Sequence, residues 1–239
     1  MPDPFLSIVI PAYNEARRIR DTLKRVAHFQ ELKPYAVELI VVDDGSTDQT
    51  VDVVAEFPGY RLLRNDRNHG KGYTVRHGVL EARGEFILFT DADLSTPIEE
   101  ADKLLSALES SGADAAVGSR ALERELIGVH QPWLRETGGR FFNLLVRAFT
   151  SLNLHDTQCG FKLFKRNSTR KAFEGMRIEG FGFDPELLFL IERAGGRIVE
   201  VPVRWNDHPA TKVRLLRDST RMFMDLIAIR WRAFSGKYR

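Results

Sequence analysis

Cysteine, net charge and long hydrophobic runs are all scarce in this sequence. Cys159 is the single cysteine among 239 residues, so an internal disulfide and a cysteine-rich metal cluster are both excluded. One cysteine is typical of a reducing compartment, and we expect a cytoplasmic protein. Lys and Arg total 35 against 33 for Asp and Glu, a formal net charge of +2, so the overall charge gives no reason to expect a nucleic acid partner.

No segment is long and apolar enough to cross a bilayer. The longest apolar runs, at 39–42 and 187–191, are far shorter than the roughly 18 residues that a spanning helix needs. Residues 1–10 have neither the basic flank nor the cleavage pattern of a signal peptide. With 43% hydrophobic residues the chain can bury a core, and it contains no internal repeat. We expect one domain over 1–239 that is soluble or lies on a membrane surface.

Short β-branched runs alternate with segments of helical spacing in the first half of the chain. The pattern predicts strands at 6–10, 38–42, 61–64 and 85–90, and helices at 14–29, 48–57 and 72–82. Further strands are predicted at 115–118 and 161–164, with a long helix at 133–152. Continuous apolar strands that alternate with helices predict an α/β fold with a mainly parallel central sheet flanked by helices. In such folds, ligands bind at the carboxyl ends of the strands.

Asp91 and Asp93 directly follow the predicted strand 85–90 and form the sharpest chemical signal. Residues i and i+2 at a strand end can turn both carboxylates toward one cation. Mg²⁺ usually takes one or two carboxylates together with substrate phosphates, so Mg²⁺ or Mn²⁺ bound to a diphosphate is the natural occupant. For the pair alone, a solvated turn or the cap of a helix that begins near Pro97 is an equally good explanation.

Two other polar segments follow predicted strands. Asp43 and Asp44 end the second strand, where a carboxylate can accept a hydrogen bond from a ribose or a base, although an Asx turn would look the same. Residues 11–15, Pro-Ala-Tyr-Asn-Glu, follow the first strand, and they could hold a nucleobase or simply form a loop and a helix cap. A receiver-like pocket with Mg²⁺ on Asp43 and Asp44 would explain neither Asp91 and Asp93 nor the length of the chain.

Three polar loops after three strands, in this order and spacing, resemble the family 2 glycosyltransferases of the GT-A fold. The resemblance implies a nucleotide-diphospho-sugar transferase fold with Mg²⁺ or Mn²⁺ on Asp91 and Asp93, and it puts Ser95 where mannosyl relatives often have a third, Gln, ligand. The positions that it assigns to donor binding are Pro11, Ala12, Tyr13, Glu15, Asp43 or Asp44, Lys71, Ala92 and Lys212. Lys71 lies in Gly-Lys-Gly without P-loop spacing, and a solvated lysine at a helix start is the alternative.

The segments 118–120, 156–162, 183–188 and 201–205 are similar to enzymes that glycosylate dolichyl or polyprenyl phosphate, and to the glucosyl more than the mannosyl enzymes. This similarity implies an inverting transfer from UDP-glucose to a polyprenyl phosphate, with GDP-mannose as the open alternative. It implies a nucleotide-sugar half at 1–117 and an acceptor half at 118–212. Its acceptor-side candidates are Arg120 and Arg135 for the phosphate, and Gln158, Asp184 and Glu186 for the sugar or for orienting arginines.

Two segments, 133–152 and the tail 213–239, set aromatic and aliphatic residues beside arginines. An apolar side next to a basic side is what a helix in a membrane interface needs, although both helices could simply pack on the sheet. Because a lipid acceptor stays in the bilayer, we expect a peripheral protein on the cytoplasmic face of a membrane. We also expect this protein to lack the N-terminal anchor helix of eukaryotic members.

Two further hypotheses remain open at this stage. A family 2 transferase that uses a soluble or polysaccharide hydroxyl would need a carboxylate base, for which Asp184 or Glu186 is the candidate. A receiver-like or nucleotide-binding module without activity would tolerate the loss of Asp91. The lipid acceptor needs no such base, because a phosphomonoester with a second pKa of about 6 is already largely ionised at neutral pH.

Overall fold

The computed structural model describes residues 3–129, 133–207 and 215–238, and of 133–136 and 215–218 it describes only the backbone. Within this part of the chain, the strands are β1 Leu6–Ala12, β2 Val37–Asp43, β3 Tyr60–Arg64, β4 Phe86–Thr90, β5 Ala115–Ser119, β6 Ile127–Val129, β7 Phe161–Lys165, β8 Ile198–Pro202 and β9 Trp205–Asn206. The α-helices are α1 Ile19–Glu31, α2 Thr50–Ala55, α3 Lys71–Glu81, α4 Ala101–Ser111, α5 Trp133–Thr150, α6 Arg166–Gly175, α7 Phe183–Arg193 and α8 Leu215–Phe234.

The central sheet has seven strands in the order β3-β2-β1-β4-β7-β5-β8. All neighbours are parallel except where β7 runs antiparallel between β4 and β5. The small strands β6 and β9 pair separately. The register sets Ala12 of β1 beside Asp43 of β2, so the polar segments that follow these strands leave the sheet at the same edge.

Helices cover both sides of the sheet because the strands are apolar on both faces. In β1, Ile8 and Ile10 face a core layer that includes Leu23 of α1 and Leu104 of α4. The intervening Val9 faces the opposite layer, which is built from α3, α5, α6, α7 and α8. The sheet is therefore buried between two helical layers, and ligands can reach it only at the strand ends.

The predicted fold class is confirmed, and the early strands and helices lie close to their predicted positions, except that α1 begins at Ile19 and not at residue 14. The first strand is longer than expected, because Pro11 and Ala12 still belong to β1. The sequence pattern did not predict the antiparallel direction of β7 or the strand β8. Both depend on long-range pairing, which periodicity along the chain does not encode.

No helix in the described ranges has the length and apolarity needed to cross a membrane.

Candidate active site

A cleft of about 610 Å³ opens at the carboxyl ends of β1, β2 and β4. Its wall contains most of the donor-side residues expected from the sequence, namely Pro11, Ala12, Tyr13, Glu15, Asp44 and Lys71. Asp91, Ala92 and Asp93 line the same cleft. The structure therefore brings the three polar loops together around one space.

The first two polar loops are bound to each other. The side-chain oxygen of Asn14 accepts a hydrogen bond from the Thr47 backbone N–H at 2.8 Å, and the Ser46 hydroxyl accepts one from the Asn14 N–H at 2.8 Å. The Glu15 N–H donates to the Thr50 hydroxyl at 2.7 Å. These bonds fix the loop that carries Tyr13 and Glu15 against the start of α2.

Asp43 and Asp44 have different environments although they are adjacent. Asp44 lines the cleft, and its carboxylate accepts hydrogen bonds from the Asn65 amide at 2.8 Å and from the backbone N–H groups of His69 and Gly70 at 3.0 and 2.9 Å. Asp43 is fully buried and accepts from the Ser46 N–H within its own turn. Asp44 thus holds the loop that leads into α3, and Asp43 lies behind it.

The loop with Asp91 and Asp93 is shaped by close backbone contacts. The Asp91 N–H donates to the Gly160 carbonyl at 3.1 Å, and a Cβ at position 160 would lie only 1.9 Å from an Asp91 carboxylate oxygen. Only glycine can approach this closely. Leu94 adopts a left-handed conformation with φ 47°, and the Ser95 N–H then donates to the Asp93 carboxylate at 3.0 Å. The turn directs both aspartates into the cleft.

Two basic side chains contact these aspartates. Lys71 Nζ, in the first turn of α3, lies 2.7 Å from Asp91 Oδ1, and Arg18 Nη1 lies 3.7 Å from Asp93 Oδ2. Burial alone lowers the pKa of the Lys71 ammonium, but the carboxylates of Asp91 and its neighbours outweigh burial and raise that pKa. The hydrogen bond with Glu15 raises the pKa of Arg18. Both bases therefore stay charged beside the aspartates at neutral pH.

Arg120 is engaged by a carboxylate. Its guanidinium forms a two-point ion pair with Asp156, at 2.6 Å from Nε and 2.8 Å from Nη2. Burial opposes the charge of both groups, but their attraction raises the pKa of Arg120 and lowers that of Asp156. Neither Arg120 nor Gln158 lines the cleft, and within the described ranges Gln158 Nε2 is buried without a hydrogen-bond partner.

Asp184 and Glu186 lie behind the cleft and do not line it. Asp184 Oδ1 contacts the buried Lys162 ammonium at 2.5 Å, and burial raises the pKa of Asp184. Glu186 is fully buried, and its carboxylate accepts hydrogen bonds from the Ile178 N–H at 2.7 Å and the Tyr238 hydroxyl at 2.5 Å. Both carboxylates are therefore held by internal partners, and Glu186 also contacts the Arg232 guanidinium at 3.4 Å. The expected role of Asp184 and Glu186 at the sugar stays a prediction.

Known proteins resemble this chain in sequence and in structure. The family model described as Glycosyl transferase family 2 matches residues 7–173. The chain belongs to glycosyltransferase family 2. The dolichyl-phosphate beta-glucosyltransferase of Saccharomyces cerevisiae is 36% identical over 257 residues, covering 98% of this chain and 77% of the relative. The protein of that name in Drosophila melanogaster is 37% identical, covering 100% of this chain and 78% of the relative.

Solved structures agree on the fold. Glucosyl-3-phosphoglycerate synthase from Mycobacterium tuberculosis, crystallised with Mn²⁺, UDP and glucosyl-3-phosphoglycerate, has a TM-score of 0.70 at 22% identity, covering 95% of this chain and 78% of that one. The same enzyme with Mg²⁺ and UDP has a TM-score of 0.69. This family 2 glycosyltransferase therefore has the GT-A fold expected from the sequence.

The residues of the transferase fit a divalent cation with a diphosphate. Two carboxylates on one loop suit Mg²⁺ or Mn²⁺, which complete their shell with phosphate oxygens and water. Arg18 Nη1 is buried beside Asp93 and has no hydrogen-bond partner among the described residues, as expected of a group that receives a ligand oxygen. Ser95, the expected third ligand, is buried and does not line the cleft, and the described residues contain no group of three or more His, Cys, Asp or Glu suited to a metal.

Several residues of this cleft were not identified from the sequence. Arg18, Phe181, Arg221 and Asp225 line it, and the last two lie in the tail 213–239, for which the sequence predicts only a basic amphipathic helix. The sequence carries no local signal for them, because they reach the cleft through tertiary packing. Lys212 lies outside the described residues, as does the side chain of Arg135.

Proposed function

We propose that this transferase moves glucose from UDP-glucose to a polyprenyl phosphate, with inversion at the sugar carbon. The observation that carries the proposal is the cleft in which Asp91 and Asp93 face Lys71 and Arg18 at the ends of parallel strands. Relatives named dolichyl-phosphate beta-glucosyltransferase match nearly the whole chain and support both the sugar and the acceptor. Solved structures with UDP-glucose and Mn²⁺ in the same fold support the donor.

The polar loops have distinct tasks in this proposal. Tyr13, Glu15 and Asp44 hold the nucleoside, and Ala92 lies beside it. Asp91 and Asp93 would hold Mg²⁺ or Mn²⁺, which would act as a Lewis acid for the departing diphosphate. Lys71 and Arg18 supply fixed positive charge next to the diphosphate, and Lys212 is a further candidate for that charge. Arg120, Arg135 and Gln158 remain candidates for the acceptor side.

No strong general base is needed at this site. The acceptor phosphate is largely ionised at neutral pH, so its oxygen can attack the sugar carbon from the side opposite to UDP. The two carboxylates considered as bases are held by internal partners, since Asp184 pairs with Lys162 and Glu186 binds the Ile178 N–H and the Tyr238 hydroxyl. This arrangement supports a phosphate over a hydroxyl as the acceptor.

A membrane surface completes the proposal, with the protein on the cytoplasmic face. The packed helices α5 and α8 expose the large apolar side chains of Phe141, Leu144, Met224, Trp231 and Phe234. Exposed basic side chains here are Arg147 on α5 and Lys237, whose ammonium lies 4.1 Å from the centroid of the Trp231 ring. Apolar side chains with flanking basic groups suit an interface with anionic lipids. Trp231→Ser should reduce co-sedimentation with anionic vesicles, and unchanged binding would reject this membrane face.

Transfer assays test the proposal directly. Purified protein receives labelled UDP-glucose or GDP-mannose together with a short polyprenyl phosphate, with and without Mn²⁺. We expect glucosyl transfer that depends on the metal, and Asp91→Asn should reduce it by at least about a hundredfold, because the charge stabilisation supplied by a metal is worth several kcal/mol. Asp52→Asn, at an exposed position on α2, is the control. Full activity in Asp91→Asn, or transfer only from GDP-mannose, would contradict the proposal.

A further inference from the structure

Helix α8 presents three different surfaces. Leu226 and Ile229 are buried in the core. Arg221, Met222 and Asp225 line the cleft. The third surface is an exposed apolar stripe, which we define as Phe223, Met224, Ile227 and Trp231, with exposed fractions of 37%, 57%, 39% and 57%. One helix therefore connects the active-site cleft with an apolar surface of the protein.

Arg221 lies where these two surfaces meet. At 3.6 residues per turn, Arg221 is about 60° around the helix from Met224 of the stripe and about 40° from Asp225 on the cleft side. Its side chain is exposed. Arg221 is thus the α8 residue that borders the cleft on one side and the apolar stripe on the other.

The loop between α6 and α7 supports this placement. A Cβ at Gly182 would lie 2.4 Å from the Asp225 carboxylate, so Asp225 packs tightly on the backbone there. A Cβ at Gly180 would lie 3.9 Å from Arg221 Nε, so the guanidinium lies over Gly180 at ordinary contact distance. The acidic residue is held against the loop, and the arginine extends along the rim of the cleft.

Other bases near the cleft pair directly with carboxylates, and Arg221 itself interacts with the Asp225 carboxylate through its charge. Lys71 contacts Asp91 at 2.7 Å, Arg18 is paired with Glu15, and Arg120 is paired with Asp156 at two points. Lys71 and Arg18 also stand on the side of the cleft where the donor diphosphate is proposed to bind. A second anion that enters the cleft from the apolar side meets Arg221 first.

We propose that Arg221 binds the phosphate of the polyprenyl phosphate acceptor and that the isoprenoid chain lies along the apolar stripe of α8. This inference rests on the proposed function, which it deepens by assigning an acceptor-binding residue outside the segments that resemble the family. A guanidinium binds phosphate through two parallel hydrogen bonds, which orients the attacking oxygen. Contact between the chain and the stripe removes apolar surface from water on both sides.

Four proteins test this assignment: the wild type, Arg221→Gln, Arg221→Lys and the control Arg230→Gln. Arg230 is an exposed arginine of the same helix that lies outside the cleft lining. The measurements are the KM for farnesyl phosphate, the binding of farnesyl phosphate against farnesol, and the affinity for UDP. A soluble short acceptor in detergent keeps vesicle binding out of the comparison.

We expect Arg221→Gln to raise the acceptor KM by about tenfold to a hundredfold, as the loss of a charged hydrogen-bonded contact does. It should abolish the preference for farnesyl phosphate over farnesol and leave UDP affinity unchanged. Arg221→Lys should restore part of the preference, and Arg230→Gln should match the wild type. An unchanged acceptor KM in Arg221→Gln, an equal loss in Arg230→Gln, or a parallel loss of UDP affinity would overturn the assignment.

Failure of the proposed function has a separate signature. If the wild type transferred no glucose to farnesyl phosphate, the proposed reaction would be rejected, whatever the effect of Arg221→Gln. The binding measurements would still test the site. A preference for farnesyl phosphate over farnesol that is lost in Arg221→Gln supports the assignment, and a preference that persists in this variant rejects it. Competition with phosphoglycerate distinguishes a lipid phosphate from a soluble phosphate as the ligand. Farnesyl phosphate should bind more tightly than phosphoglycerate, because only the lipid also contacts the apolar stripe.

Discussion

The contact between Lys71 and Asp91 puts a protein cation on one of the two proposed metal ligands. Lys71 Nζ lies 2.7 Å from Asp91 Oδ1, and the surrounding carboxylates raise the pKa of the lysine. The Lys71 ammonium would therefore compete with a metal ion for Asp91. Once displaced, that ammonium would remain close to the proposed position of the diphosphate.

Replacement of Lys71 by methionine removes the competitor. We expect Lys71→Met to bind Mn²⁺ more tightly in the absence of nucleotide, by about threefold to tenfold, because one attractive contact to the carboxylate no longer has to be broken. UDP binding should weaken in the same variant. Calorimetry with Mn²⁺ alone and then with UDP measures both effects. Lys103→Met, which breaks a similar pair with Glu100 outside the cleft lining, is the control, and a loss of Mn²⁺ affinity in Lys71→Met would contradict this account.

At the scale of elements, the sequence predicted which strand ends carry chemistry but not how the later elements close the cleft. Asp91 and Asp93 were identifiable because they follow an apolar strand directly and share an i, i+2 spacing. Asp225 gave no such signal, because its role depends on the packing of α8 against the loop at Gly182. Likewise, the strand pattern cannot show that β7 runs antiparallel, since only pairing with β4 and β5 determines it.

The ion pair between Arg120 and Asp156 joins two elements. Arg120 follows β5, and Asp156 lies in the segment that leads to β7, so the pair ties together the ends of neighbouring strands. Trp205 of β9 lies under the guanidinium, with the ring centroid 5.4 Å from its central carbon. The contacts of Arg120 are those of a residue that stabilises the fold, and its role at the acceptor stays a prediction.

Asp156→Asn should destabilise the protein in a pH-dependent way. Breaking a largely buried ion pair costs about 3 kcal/mol, and the pKa of Asp156 is lowered in the folded state because Arg120 outweighs the effect of burial. A lowered carboxyl pKa stabilises the fold above the unfolded value of about 4, and this contribution is lost as the pH falls through the folded pKa. The difference in the free energy of unfolding between wild type and Asp156→Asn, measured in urea, should therefore be smaller at acidic pH than at pH 7.

The matched control for that experiment is Asp102→Asn, which removes the exposed partner of Lys33. An exposed pair contributes only about 0–1 kcal/mol, so its loss should change the free energy of unfolding little at either pH. If Asp156→Asn lost the same free energy of unfolding at neutral and at acidic pH, the charge of Asp156 would not be what stabilises the fold.

The cleft is built from parts that are far apart in sequence. The segment from Pro11 to Arg18 supplies one wall, Asp91 and Asp93 a second, and Arg221 and Asp225 on the last helix a third. The end of the chain is fastened near the cleft as well, since the Tyr238 hydroxyl donates to the fully buried Glu186 carboxylate at 2.5 Å. The same carboxylate accepts from the Ile178 N–H, just before the loop that supports α8.

Tyr238→Phe should therefore weaken the whole fold and not only the chain terminus. A hydrogen bond to a charged group contributes about 1.5–3 kcal/mol, and its removal leaves a buried carboxylate with one donor fewer. We expect the free energy of unfolding in urea to fall by about that amount, in one cooperative transition. Tyr35→Phe is the control, because Tyr35 is only partly buried and its contact with Phe5 is made by the ring. A stable variant in which only α8 became sensitive to protease would show that the last helix folds separately, and α8 could then not act as a fixed wall of the cleft.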